Sequence, residues 1–241
     1  MITWRHNSAP EPSGFLQPRL AVFFAVILGL GFFLDGCRPG VAPGRGKKTS
    51  DSEGLQDAVF PSVQEVEAAL RGKNIYLKGQ GAWLAARYGY RFLLPILRAN
   101  ALDPHWYVRY HSLAALHQLS DREAIPIFIS GLKDDDNSVR FKALEGLADL
   151  GDDTVVPEVI GRLTDGDAYV RAAAAYALGE LKAPQAIAAL IDRLSSDDRP
   201  VVGREAYLAL LKITGEKFPA RPESWETWWR QRAGERQIPR K

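Results

Sequence analysis

Apolar and polar positions along residues 134–150 (DDDNSVRFKALEGLADL) follow a helical period. Val139, Ala143, Leu147 and Leu150 fall at i, i+4, i+8 and i+11, which is one face of an α-helix. The apolar stretch before it, residues 123–133, is shorter and opens near Pro126, which suits a first helical turn. An aspartate-rich turn, Asp134-Asp135-Asp136, separates the two stretches, and Gly151 with Asp152 ends the pair. The whole unit then recurs. Val108-Arg109, Val139-Arg140 and Val170-Arg171 lie 31 residues apart, and Val202 follows after 32. Pro95, Pro126 and Pro157 keep the same beat. Self-similarity at this period predicts stacked helical hairpins, an all-α solenoid, in place of one globular core.

The repeat accounts for residue types that otherwise look bland. Ala172, Ala173, Ala174 and Ala175 lie where one helix has to approach its neighbours, so small side chains act as spacers and also favour the helix. Asp165 or Asp167 stands just before that helix, in place to cap its free N–H groups. Arg109, Arg140 and Arg171 occupy the same slot in successive units, a structural ladder along the stack; Gly203 takes the slot in the fourth copy and Arg204 follows it. Downstream, Trp225, Trp228 and Trp229 share one face of a short helix that closes the last unit.

The 241-residue chain is 46% apolar and 25% charged, values of a folded protein, and its single cysteine excludes a disulfide framework and a multi-cysteine zinc site. Net charge is +2, but residues 61–220 carry 19 basic and 21 acidic side chains, so the repeats offer nucleic acid no basic face. The first residues carry different information. Residues 20–34 (LAVFFAVILGLGFFL) hold no charge over 15 positions, short for a membrane span and right for a secretory signal. Residues 38–60 are rich in glycine, proline and small polar side chains; they read as a flexible tether with a reach of roughly 25 Å.

Three resemblances sharpen this picture. The stretch Leu34-Asp35-Gly36-Cys37 resembles the lipobox of bacterial lipoproteins, with Asp35 departing from the usual small residue. It implies a signal peptide over 1–36, lipidation of Cys37 and a tether over 37–60. Residues 170–179 (VRAAAAYALG) resemble the second helix of short bacterial HEAT-like repeats, and the likeness extends over residues 92–220. It implies a right-handed α-solenoid of about four helical hairpins over 100–220. A degenerate N-terminal cap over 61–99 precedes them; it keeps the Leu77-Lys78 pair and Pro95 but carries Gly79, Gly81 and Gly89. The ending ITG…W..WW is similar to that of exported bacterial HEAT-like proteins and implies a tryptophan-rich capping helix and basic tail over 221–241.

Candidate chemistry is sparse. His6, His105, His111 and His117 share no helix face, and no metal-ligand, nucleophile or phosphate-cradling motif is present, so neither a catalytic site nor a cofactor is expected. The second helices of such repeats line a surface described as concave. Positions two and three after the repeating valine make Tyr110, His111, Phe141 and Lys142 candidate partner-binding residues, with Trp106 and Tyr107 just before them. The resulting expectation is a non-enzymatic, lipid-anchored scaffold of the bacterial cell envelope for a protein or peptide partner, with its oligomeric state left open. The alternative, from the similar repeats of bilin lyases, is tetrapyrrole binding or transfer at the aromatic residues between Trp83 and Tyr110.

Overall fold

The computed structural model describes residues 62–236. The signal segment, Cys37, the tether and the last five residues of the basic tail lie outside the described residues. Eleven α-helices are described: α1 (Val63–Arg71), α2 (Ile75–Arg87), α3 (Leu94–Asn100), α4 (Trp106–Gln118), α5 (Ile125–Gly131), α6 (Asn137–Leu150), α7 (Val156–Gly161), α8 (Ala168–Glu180), α9 (Ile187–Ser196), α10 (Pro200–Thr214) and α11 (Pro222–Arg236). They pair as five hairpins, α1–α2 through α9–α10, with α11 as an extra helix. No strand occurs among the described residues.

Local chemistry sets the boundaries. The first helices α3, α5 and α7 carry Pro95, Pro126 and Pro157 in their first turn, each after a short 3-10 turn, where the missing N–H costs no hydrogen bond. The second helices α2, α4, α6 and α8 start at Asn74, His105, Asp136 and Asp167, whose side chains accept from backbone N–H groups two or three residues on. Gly215, with φ of 72°, ends α10 in the left-handed conformation.

The second helices stack directly on one another and form a continuous layer. Val108, Val139, Val170 and Val202, and eight residues later Leu116, Leu147, Leu178 and Leu210, are all buried inside it. Ala172 to Ala175 are buried as well, and a Cβ at Gly179 would lie 2.9 Å from the Cα of Ala209, so α8 and α10 meet almost backbone to backbone. Within a hairpin the fit is equally tight: a Cβ at Gly146 would overlap the ring of Phe128, which is fully buried.

The hairpin boundaries differ from the expected division at 99/100. That point falls at the end of α3, which pairs with α4, so the first Pro-bearing hairpin starts near Arg91 and the cap is the α1–α2 hairpin alone. Gly79 and Gly81 do not break α2. They lie buried inside it, where Gly81 receives Val66, Ala69 and Leu70 of α1. At the other end α11 places Trp225 in the core, fully buried, with its indole N–H donating to the Pro219 carbonyl at 3.1 Å. Phe218, Tyr207 and Trp228 surround its ring, and the Trp228 N–H donates to Glu216.

Candidate functional site

Two sets of side chains recur along the second-helix layer. The first is a ladder at the turns inside the hairpins. Arg109 reaches forward to Asp134, Arg140 to Asp165 and Arg171 to Asp197, each with Nε and Nη2 donating to the two oxygens of one carboxylate. The remaining Nη1 of each arginine donates backward to the carbonyl of its own turn's aspartate, Asp103, Asp134 or Asp165. Each aspartate also accepts an N–H two residues on. Repeat is thus tied to repeat through alternating side-chain and backbone links. Lys78 supplies a further rung to Asp103 at 2.6 Å.

The electrostatics agree with this closure. Asp134 and Asp197 hold the guanidinium groups of Arg109 and Arg171 above their ordinary range. The Arg171 hydrogen bonds hold Asp197 below the usual carboxylate range, against the opposing pull of burial. Burial pushes Asp103 up, but the Lys78 ammonium and the His105 N–H outweigh it, and its net shift is downward. The ladder stops at Gly203: Arg204 is exposed and pairs with its neighbour Glu205. With their forks occupied by aspartates, the three arginines hold the stack together and offer no groove to an anion.

The second set is the outward stripe of the same helices. Counting from the repeating valine, positions −1, +3, +6 and +10 lie within an arc of about 60° at roughly 100° per residue. On α2 these are Tyr76, Gln80, Trp83 and Arg87; on α4 Tyr107, His111, Ala114 and Gln118; on α6 Ser138, Lys142, Glu145 and Asp149. On α8 they are Tyr169, Ala173, Tyr176 and Glu180, and on α10 Val201, Glu205, Leu208 and Lys212. The N-terminal part is aromatic. Tyr76 meets Tyr107 edge-on with centroids 5.6 Å apart, Tyr107 meets Trp106 at 5.8 Å and His111 at 4.3 Å, and His111 meets Tyr110 at 5.2 Å. Gly79 lets α4 bring Tyr107 and His111 against α2. Burial and the nearby Lys142 push the His111 imidazole below its ordinary value, which keeps it neutral at pH 7.

The candidate residues divide on this surface. Trp106 is exposed, at 43%, while Tyr107, Tyr110, His111, Phe141 and Lys142 are half-buried. Lys142 lies over the Tyr110 ring at 5.4 Å and pairs with Glu145, so that tyrosine is partly covered. Phe141 joins none of these ring contacts among the described residues. Further exposed aromatics are Tyr76 at 67% and Tyr169 at 62%, which the sequence did not single out, and Trp83 at 45%, an end of the cluster named for tetrapyrrole binding. The centre and C-terminal part hold internally paired polar groups, the His117 ring against the Asp149 carboxylate at 2.7 Å and Lys212 with Glu180. Among the described residues no group of His, Cys, Asp and Glu side chains could hold a metal ion.

Comparison with known proteins agrees with this geometry. The CpcE and CpcF complex of phycocyanin lyase from Nostoc sp. PCC7120 aligns with a TM-score of 0.59 at 22% identity, over 72% of this chain and 71% of that one. The Escherichia coli protein YibA aligns at 0.53 and 20%, over 62% and 60%. A designed armadillo repeat protein in complex with the peptide (KR)4 aligns at 0.50 and 16%, over 62% and 80%. At these identities the likeness is one of fold. No curated protein matches the sequence. The family model for HEAT repeats matches residues 63–148, 90–167 and 125–211, together more than half of the chain, so this protein belongs to the HEAT repeat family.

Proposed function

We propose that this HEAT-repeat scaffold is a non-enzymatic, membrane-tethered module of the bacterial cell envelope that binds a protein or peptide partner on the outward stripe of its second helices. The observation that carries the binding site is the aromatic N-terminal part of that stripe, where Tyr76 stays exposed although the neighbouring Tyr107 folds inward, with the exposed Trp106 beside the stripe at the start of α4. Aromatic side chains with little rotamer entropy to lose are favoured anchors for a partner. The armadillo design carries its peptide, and CpcE stands in complex with CpcF, which supports protein or peptide as the ligand class for this fold. The tether rests on the apolar residues 20–34 and Cys37, which lead out of the repeats toward a lipid anchor.

The test is site-directed photo-crosslinking in cells, with the crosslinker at Tyr76 or Trp106 and, as control, at the exposed Ser130 of α5. One discrete partner captured from the first two positions and lost in a Tyr76→Asp/Trp106→Asp variant is expected. Equal capture from Ser130, or capture indifferent to those substitutions, refutes the surface. Intact mass of the chain beside a Cys37→Ser control tests the anchor: a chain starting at Cys37 and carrying acyl groups is expected only with the cysteine present. A second reading, tetrapyrrole binding, draws on the phycocyanin lyase neighbour and the exposed Trp83. Visible absorbance in the purified protein would favour it.

A further inference from the structure

We infer that the corner formed by the loops before α3 and α5 is a second, direct contact with the surface of an anionic bilayer. The inference rests on the membrane-tether reading above and adds an orientation to it. Residues 88–92 end α2 and lead into α3, and they place Tyr88, Tyr90 and Phe92 in a row, with ring centroids 5.8 and 5.7 Å apart. Phe92 is 59% exposed and Tyr88 38%. The Arg91 guanidinium donates to the Leu119 carbonyl, which joins this loop to the next one; Arg87, over the Trp83 ring at 5.3 Å, ends α2 just before the first loop, and Arg122 lies in the second. Of the acids nearby, Glu65 closes the capping box of α1 with Ser62 and Glu123 pairs with Arg98 at 2.6 Å, while the exposed Asp152 lies close enough to Arg122 to feel its charge. Aromatic rings among arginines are the composition that settles at a lipid headgroup layer, where the rings enter the interface and the cations meet phosphate.

The course of the chain points the same way. α1 and α2 run antiparallel, since Gly81 in mid-α2 faces Val66, Ala69 and Leu70, so Ser62 lies at the level of Arg87. The chain that leads to residues 20–37 therefore enters the repeats at the aromatic corner. The opposite edge of the hairpins carries the turns of the ladder, where Asp134, Asp165 and Asp197 are paired with arginines and the exposed Asp135 and Asp198 add negative charge that anionic lipid repels. Asp152, in the next loop along the same edge, already feels the Arg122 charge, so with Asp153 it bounds the contact at the loop before α7.

The experiment uses the full chain carrying its lipid, reconstituted in vesicles of phosphatidylcholine alone or with one quarter phosphatidylglycerol. Nitroxide labels are placed through Phe92→Cys at the corner and Asp135→Cys at the acidic margin. With phosphatidylglycerol present the label at position 92 loses access to an aqueous nickel reagent and gains access to oxygen, while the label at position 135 stays aqueous. Arg87→Glu/Arg122→Glu, which leaves the Arg91–Leu119 link in place, returns the label at 92 to water with the chain still floating with the vesicles. A floating chain whose 92 label stays in water, or whose immersion ignores both lipid charge and the arginines, overturns the corner contact alone. A chain that does not float overturns the tether and the corner contact together.

Discussion

Arg171→Met isolates the contribution of one ladder rung. The substitution keeps the length of an apolar side chain but removes the fork that holds Asp197, whose side chain is 1% exposed against 12% for Arg171. Removing one partner of a buried pair costs about 3–5 kcal/mol because the other charge stays uncompensated. Here compensation is partial: the Arg199 N–H still donates to Asp197 and Arg193 lies 3.8 Å away, so a loss of about 2–3 kcal/mol at pH 7 is expected. For a solenoid of this size that corresponds to a fall in Tm of about 5–10 °C. The loss has a pH signature. Asp197 is held below its ordinary value in the folded protein, so its stabilisation is fully present above the unfolded value of about 4 and disappears as pH falls through the folded value. Once Asp197 is protonated there is less of a pair left to break, and the cost of Arg171→Met shrinks in acid. Urea denaturation followed by helical circular dichroism, run on both chains from about pH 7 to about pH 3, measures this difference. A cost that is constant across the series, or below about 0.5 kcal/mol at neutral pH, would show that the rung behaves as an exposed surface pair and would refute the reasoning.

Two substitutions test the packing. Gly146→Ala drives a Cβ into the ring of Phe128, and despite a gain of up to about 1 kcal/mol in helix propensity it is expected to cost about 1–3 kcal/mol net in a melt; a more stable variant would mean that the ring moves aside freely. Ser112 occupies a slot held by Ala143, Ala174 and Ala206 in the other repeats, and its hydroxyl is buried without a hydrogen-bond partner. Ser112→Ala is therefore expected to be neutral or to stabilise by up to about 1 kcal/mol, and a clear loss of stability in the same melt would reveal a hydrogen bond at that hydroxyl.

The valine–arginine beat made the second helices, their buried face and the arginine slots legible, because burial repeats with the helical period and leaves a mark in every copy. The first rung was present in the sequence too: Lys78 stands 31 residues before Arg109, and Asp103 follows Lys78 by the same 25 residues that separate Arg109 from Asp134. The Leu77-Lys78 pair was read as a copy of the Val-Arg slot, but the partner aspartates of that slot were not read off with it. The outward stripe was read less well. Position +2 lies at about 200° from the buried valine, toward the next helix, whereas −1, +3, +6 and +10 cluster near 240–300°. Tyr110 and Phe141 were therefore expected on the open face but are half-buried, Tyr76 and Tyr169 were passed over, and Trp83 was named only for the tetrapyrrole alternative. Writing the five second helices in register and reading down the columns would have found them. The bounds of the cap were obscured by glycines, which suggest a broken helix in sequence but serve close approach of α1 and α4 to α2.

The division of labour around each second helix gives the stripe its significance. The face centred on the valine and leucine positions is committed to burial, the alanine and glycine positions to neighbouring helices, and the N-terminal end to the ladder. The ladder runs from Lys78 to Asp197 and ends where Gly203 replaces arginine; beyond it the stack is closed by apolar means, with Trp225 of α11 buried against Phe218 and Tyr207. Both ends of a one-dimensional stack are thereby satisfied without drawing on the outward stripe. Tyr107, His111 and Ala173 of the stripe are half-buried or buried among the helices, but Tyr76 and Tyr169 leave most of their surface in water. Paired charges at Lys142 and Glu145 in the centre keep that surface wet between two aromatic stretches. A partner that covers the N-terminal stretch would recover the apolar burial that the fold itself forgoes, which is why the binding reading is attached to the exposed Tyr76 and Trp106 and not to the arginines, whose forks are taken by aspartates.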